Sequence, residues 1–284
     1  MIKSAIFIAD SGAKFVFGES GSNVFYADIG KGVAVRIGTS QGFSQVGETV
    51  QTKSVGGRKI KIVGAVYGNV EQKRAEMRRV FSPFAFGDLI LDNKYSIRCY
   101  VQETPSFVGD KLDGRFTMTL YAPYPFFSTV SESTYLIGSI FPAFSFPVNY
   151  SEPHIFGEKS DAKYSNIRND GDVPVPYRLN ISTNRVSTNV TVTDIKTLRY
   201  LKLNGSIEAG QTINIYRDKS GVLIAELEST DGTREDIISW IDDDSQLFEI
   251  GVGDNLILAN DDEGGESLTA RFTFSPAVSA YYEH

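Results

Sequence analysis

The chain has 284 residues and a mass of 31.3 kDa, room for one large domain or two ordinary ones. At 41% hydrophobic and 22% charged residues it belongs with globular rather than disordered chains, and a net charge of −7 with a pI near 5.0 disfavours a general nucleic-acid binder, which leans basic. One cysteine, Cys99, excludes an intrachain disulfide, and two histidines, His154 and His284, leave little material for metal or nucleophilic chemistry.

The first elements are strands. "SAIFIAD" and "AKFVFGE" alternate apolar and polar residues and are joined by Ser-Gly, a turn signal. The apolar run 5–9 is too short for a secretory core, and no stretch approaches the ~20 apolar residues of a membrane span, so folding in a cytoplasm is expected. "GVAVRIG" (32–38) is another strand. Residues 40–57 are polar and Gly-rich and read as part of a long, poorly buried hairpin over 40–62. Gly56 and Gly57 mark its bend into "GGRKIKIVGAVYG", where Ile60 and Ile62 alternate with the outward Lys59 and Lys61. After a shift, Ala65 and Tyr67 carry the alternation on.

One helix is expected over 69–82. Val70, Met77, Val80, Phe81 and Phe84 share a side at helical spacing. Asn69 with Gln72 has the order of a capping box, and Pro83 stops the helix. Lys73, Arg74, Arg78 and Arg79 cover the other side, either as a solvated face or as a contact for an acidic partner surface. Strands resume with "DLILDNKYSIRCYVQETPSF", a hairpin turning at Asp92-Asn93, with Cys99 placed by alternation as a small core residue. In "RFTMTLYAPYPFF" (115–127), Phe116, Met118 and Leu120 alternate with polar neighbours. Pro123 and Pro125 then stiffen the chain around Tyr124, Phe126 and Phe127. Those three rings could line a ligand pocket or pack at a joint between domains.

From 128 to 175 the composition changes. Pro142, Pro147, Pro153, Pro174 and Pro176 forbid central strands there. The boundary is accordingly placed at 135/136, giving domains 1–135 and 136–284. Charge divides in the same region: residues 1–138 carry 16 Lys+Arg against 12 Asp+Glu, and 139–284 carry 12 against 23. Beyond the Pro-rich segment come "PYRLNIST", "VTVTDI", "LRYLKLNG", "QTINIYRD", "GVLIAELES", "LFEIGVGDNLILAND" and "SLTARFTFSPAVSAYY". These are short strands at roughly 8–12-residue spacing separated by turn signals, the pattern of an all-β sandwich. The expected fold is mainly β, two β-sandwich domains, the first with one packed helix and a long hairpin.

Catalytic chemistry finds no foothold. A nucleophilic triad would have to run through His154, a loop histidine between Pro153 and Ile155. "NDGD" (169–172), "IDDDS" (241–245) and "NDDEGGE" (260–266) gather oxygen ligands, but none has the spacing of a calcium loop, and Asp and Asn also serve turns. No catalytic, cofactor-binding or metal residue is assigned. Trp240, beside Ile237, Ile238 and Ile241, reads as core more than as an exposed platform.

The ordered set "GRKIKIVGAVYG", the short basic helix ending at "FSPF", "DLILDNKYSIRCYVQE", "RFTMTLYAPYPFF", "IRNDGDVPVPYRLNIS" and "LFEIGVGDNLILA" resembles the distal tail proteins of long-tailed phages with non-contractile tails, over nearly the whole chain. The resemblance implies a tail-tube-like first domain, a galectin-like second domain, and a homohexameric hub ring at the tail tip. The ring would meet the tail tube and tape measure proteins, the tail-associated lysin or tip protein and receptor-binding proteins, with DNA only in transit and no membrane contact. It implies a structural protein of the virion, assembled in the host bacterial cytoplasm. Lys73, Arg74, Arg78 and Arg79 become candidate oligomer contacts, and Tyr124, Phe126 and Phe127 candidate packing at the inter-domain joint. The alternative is a non-catalytic carbohydrate-binding β-sandwich protein, which requires an exposed aromatic platform.

Overall fold

The computed structural model describes residues 2–18, 22–29, 32–109, 113–138, 140–141, 158–159, 164–218, 221–262 and 267–281. His154, His284, Pro142, Pro147, Pro153 and residues 263–266 lie outside them. Alternating apolar residues are realised as strands throughout. In chain order these are β1 (Ala5–Ala9), β2 (Lys14–Phe17), β3 (Asn23–Asp28), β4 (Val35–Ser40), β5 (Thr49–Val55), β6 (Arg58–Val66), helix α1 (Val70–Val80), β7 (Phe86–Leu91), β8 (Tyr95–Phe107), β9 (Arg115–Ala122) and β10 (Phe127–Thr129). They continue as β11 (Ser133–Ile137), β12 (Ile140–Phe141), β13 (Glu158–Lys159), β14 (Tyr164–Asn169), β15 (Arg178–Thr183), β16 (Ser187–Thr188), β17 (Thr191–Asp194) and β18 (Arg199–Lys202). The last are β19 (Ser206–Ile207), β20 (Thr212–Arg217), β21 (Leu223–Glu228), β22 (Arg234–Asp236), β23 (Gly253–Asn260), β24 (Leu268–Phe274) and β25 (Ala277–Val278).

Two compact units result. One is residues 1–131 with 277–284, the other 132–276. Where the change in composition places a single boundary at 135/136, the chain leaves the first unit at 131/132 and returns to it at 276/277. The return rests on a two-residue pairing, Phe127 with Val278 and Ser128 with Ala277, too short to leave a periodic signal.

The main sheet of the first unit is continuous, in the order β2-β1-β7-β8-β9-β6-β3, extended by β10 on β8 and by β25 on β10. The expectation of two facing sheets is corrected here. The edge strands β2 and β3 follow each other in sequence, and Phe17 and Phe25 bring their rings to 5.5 Å, so the sheet curls toward its own edge. Helix α1 lies against the inner face, where Phe81 meets Phe7 at 4.8 Å, Phe17 at 5.8 Å and Phe15 at 6.0 Å. Each such ring contributes about 1.5–3 kcal/mol by leaving water. β8 bends through register shifts between Val101 and Glu103 and between Glu103 and Ser106. Pro105 sits in that irregular stretch, where no ladder donor is needed.

Three local expectations differ from what is found. Asn69 makes no side-chain cap; its backbone (φ −80, ψ 77) is not the extended one a cap uses, and its amide donates to Gln72 Oε1 at 2.9 Å instead. The helix ends at Val80, and Phe84, carried past Pro83, is 92% exposed rather than part of the buried stripe. In β6 the alternation does not shift: Ile60, Ile62 and Val66 are all buried and Tyr67 is exposed. Gly64 holds the inward position between Ile62 and Val66 because a Cβ there would lie 2.4 Å from the Val24 carbonyl and 2.8 Å from the Phe116 ring. With no side chain in that slot, the sequence reads as a change of parity.

The second unit is an antiparallel β-sandwich of a six-stranded sheet, β11-β24-β15-β20-β21-β22, and a four-stranded sheet, β14-β23-β17-β18, with short pairs β12-β13 and β16-β19. Alternate residues are buried along each long strand, such as Leu179 and Ile181 on β15, Ile213 and Ile215 on β20, and Val192 on β17. The acidic stretches serve turns: Asn169 Oδ1 accepts the Gly171 N–H at 2.9 Å, and Asp242 accepts the Asp244 N–H at 3.0 Å and the Asn204 amide at 2.8 Å. Trp240 closes a 3-10 turn (Ile238–Trp240), half-buried, with its ring over Gly205, where a Cβ would lie 2.2 Å from it.

Candidate assembly interface

β4 and β5 form a ribbon of their own, paired among the described residues only with each other. The exposed hairpin is therefore 35–55, not 40–62, because β6 belongs to the main sheet. Val35, Ile37, Val50 and Val55 are exposed along its arms, and Phe43 and Val46 are fully exposed at its tip. The tip is held in one conformation. Gln45 accepts the Gly42 N–H on its side-chain oxygen at 2.9 Å and donates its amide to Thr49 Oγ1 at 2.8 Å, while Gln41 donates to the Gln45 carbonyl at 3.1 Å. Ser44 and Gly47 take the positive φ the reversal needs. Apolar side chains displayed on an ordered ribbon are what a binding surface requires, since little freedom is lost on contact.

The basic residues of α1 divide. Arg74 stacks its guanidinium 4.6 Å from the centre of the Phe107 ring and reaches the Asp113 carbonyl at 3.4 Å. Lys73 stands 3.7 Å from Glu76. Arg78 lies 5.5 Å from the same Phe107 ring while exposed, and Arg79 is exposed. The outward basic surface is thus carried mainly by Arg78 and Arg79.

The Pro-aromatic stretch is a jog between two strands laid along β8. β9 ends at Ala122, residues 123–126 step out, and β10 resumes against Tyr95 and Ser96. Phe127 is completely buried in the core of the first unit. Tyr124 is 43% exposed and makes an edge contact with the half-buried Phe126 at 5.1 Å.

Arg58, which the sequence offered only as the start of a strand, organises this corner. It is 4% exposed. Its Nε donates to the Pro125 carbonyl at 2.8 Å, one terminal nitrogen to Ile29 O at 2.8 Å, and the other to Ser279 O. The guanidinium lies 4.7 Å from the centre of the Phe127 ring. Burial lowers its pKa, and three carbonyls with a ring face replace its water. The returning tail is fastened a second time by the Tyr281 hydroxyl, which donates to Asp92. Burial would raise the Asp92 carboxyl, but hydrogen bonds from Tyr281 and from the N–H groups of Ser4 and Lys3 outweigh it and hold it below its ordinary value. A single arginine at a strand start carries no motif, so only its burial shows its role.

The family profile described as siphovirus-type tail component, C-terminal domain, matches residues 170–275. That match lies within the second unit. Among solved structures, the chain is similar to the SPP1 Dit protein, described as a paradigm of the hub adsorption apparatus in phages infecting Gram-positive bacteria. Identity is 12%, coverage 95% of this chain and 98% of that one, and the TM-score 0.60. It is also similar to a chain of the phage P2 baseplate in its activated conformation, with calcium at 12% identity and with strontium at 13%, each covering 96% of this chain and 98% of that one at TM-score 0.50. No curated protein matches the chain. The likeness to SPP1 Dit covers nearly the whole chain, so the shared fold extends through the first unit as well.

Proposed function

We propose that this protein is the distal tail hub of a siphophage, a homohexameric ring that joins the tail tube to the tail tip or baseplate and lets DNA pass. The observation that carries this reading is the β4–β5 ribbon, with exposed Val35, Ile37, Phe43, Val46, Val50 and Val55 and, among the described residues, no partner strand outside itself. A surface of this kind on one subunit meets a different surface on the next, which closes into a ring. The fold shared with SPP1 Dit supports it. In this reading the first unit is the tail-tube-like, ring-forming part and the second is the galectin-like, projecting part. Arg78 and Arg79 join the subunit contacts, with Lys73 and Arg74 buttressing the same helix face. The ring meets the tail tube and tape measure proteins on one side and the tail-associated lysin or tip protein and receptor-binding proteins on the other. It is a virion protein at the tail tip, assembled in the host cytoplasm.

Negative-stain microscopy of the protein mixed with its tail-tube protein tests this. The expected result is a ring of six with a central hole, lost in Phe43→Ser/Val46→Ser while the variant's unfolding midpoint stays within about 0.5 kcal/mol of the parent, as for surface changes. Monomers at every concentration with and without the tube protein would overturn the ring, and rings that persist in the double variant would overturn the role of the ribbon.

A further inference from the structure

The second unit contains an open cavity of about 440 Å³, within the ~300–1,000 Å³ of ordinary small-ligand sites. It lies inside the sandwich where β18 of one sheet and β20 and β21 of the other end. On β18 the buried Leu201 is followed two residues back, on the same face, by Arg199; on β20 the buried Ile215 is followed by Arg217. Each inward row thus finishes in a guanidinium at the mouth. The floor is apolar, with Leu201, Ile215, Leu223 and Phe248.

The polar groups are mostly donors. The Tyr177 hydroxyl is buried with no hydrogen-bond partner, and burial together with the nearby Asp194 charge raises its pKa, so it stays protonated. Among the described residues, Arg217 donates to the Gly221 carbonyl alone, at 3.0 Å. Neither Arg199 nor Arg217 has a carboxylate within ion-pair distance among the described residues. The Asp194 carboxylate is committed to its own turn, accepting the Lys196 N–H at 3.0 Å and the Thr197 hydroxyl at 2.6 Å. Glu249 is the remaining acid of the lining. Two cationic donors thus stand at the mouth above an apolar floor.

We propose that this cavity binds a small amphiphilic carboxylate, its aromatic or branched aliphatic body resting on Leu201, Ile215 and Phe248 and its carboxylate taken by Arg199 and Arg217. The site is separate from the β4–β5 ribbon, so it stands or falls independently of ring formation.

The test titrates the full chain with N-acetyl-L-phenylalanine and with its neutral primary amide, read by ligand-observed NMR and calorimetry. The acid is expected to bind about tenfold more tightly than the amide, as charge-assisted hydrogen bonds are about twice as strong as neutral ones. Arg199→Ala and Arg217→Ala, both exposed positions, should each weaken the acid by about tenfold and leave the amide unchanged. Equal affinity for acid and amide, no binding of the acid at millimolar concentration, or undiminished binding in the double arginine variant would overturn the proposal.

Discussion

β4–β5 and β6–β9 are both antiparallel ribbons that carry apolar residues, yet they end in opposite situations. In β6 and β9, Ile60, Ile62, Phe116, Met118 and Leu120 are fully or almost fully buried beneath α1 and the curled sheet. In β4 and β5, Val35, Ile37, Val50 and Val55 stay exposed because no third strand or helix among the described residues covers them. Alternation therefore specifies which residues share a face. Whether that face is core or contact surface depends on what else the chain brings to it.

Stability measurements sharpen the contrast. Phe81→Ala should cost about 3–5 kcal/mol by opening a cavity among Phe7, Phe15 and Phe17, whereas Ile37→Ala in the ribbon should change the unfolding free energy by under about 0.5 kcal/mol. Urea titrations followed by circular dichroism compare the two, and equal losses would mean that the ribbon packs on its own unit. Next in size, Arg58→Met should cost at least about 2 kcal/mol, because it strands the carbonyls of Ile29, Pro125 and Ser279. Arg74→Met, which loses a ring contact at a half-exposed site, should cost under about 1 kcal/mol.

The tail fastening should show in the pH dependence. The Tyr281 hydroxyl is raised to about 12, by burial first and then by its hydrogen bond to Asp92 and the Asp92 charge. Its contribution is complete below the ordinary tyrosine value of about 10 and is lost as pH rises through about 12. Asp92 is lowered, so its contribution is present above the ordinary carboxyl value of about 3.9 and is lost as pH falls through the folded value. Tyr281→Phe should flatten the alkaline limb and blunt the acid one, with a constant offset from wild type between about pH 5 and 9. Thermal midpoints across pH check this, and parallel curves at both extremes would count against the fastening. The smallest effect belongs to Lys73→Ala, which removes an exposed pair with Glu76 and should stay within about 0.5 kcal/mol.

The sequence by itself determined the strands, the one helix, the Asp92-Asn93 hairpin turn (both residues at positive φ) and the all-β character of both halves. Each of these is written in neighbouring residues, through a period of two or 3.6 or through turn chemistry. The ordered motifs were enough to point to the tail-component family. The tertiary structure alone decided matters that join residues far apart. It returned 277–281 to the first unit, buried Arg58 on carbonyls from three distant segments, and kept β6 in phase through Gly64 because Phe116 fills the space a side chain would need. It also brought Arg199 and Arg217 to one cavity mouth from different sheets. Local propensity cannot record such pairings, since their energy comes from contacts made only after the chain has folded.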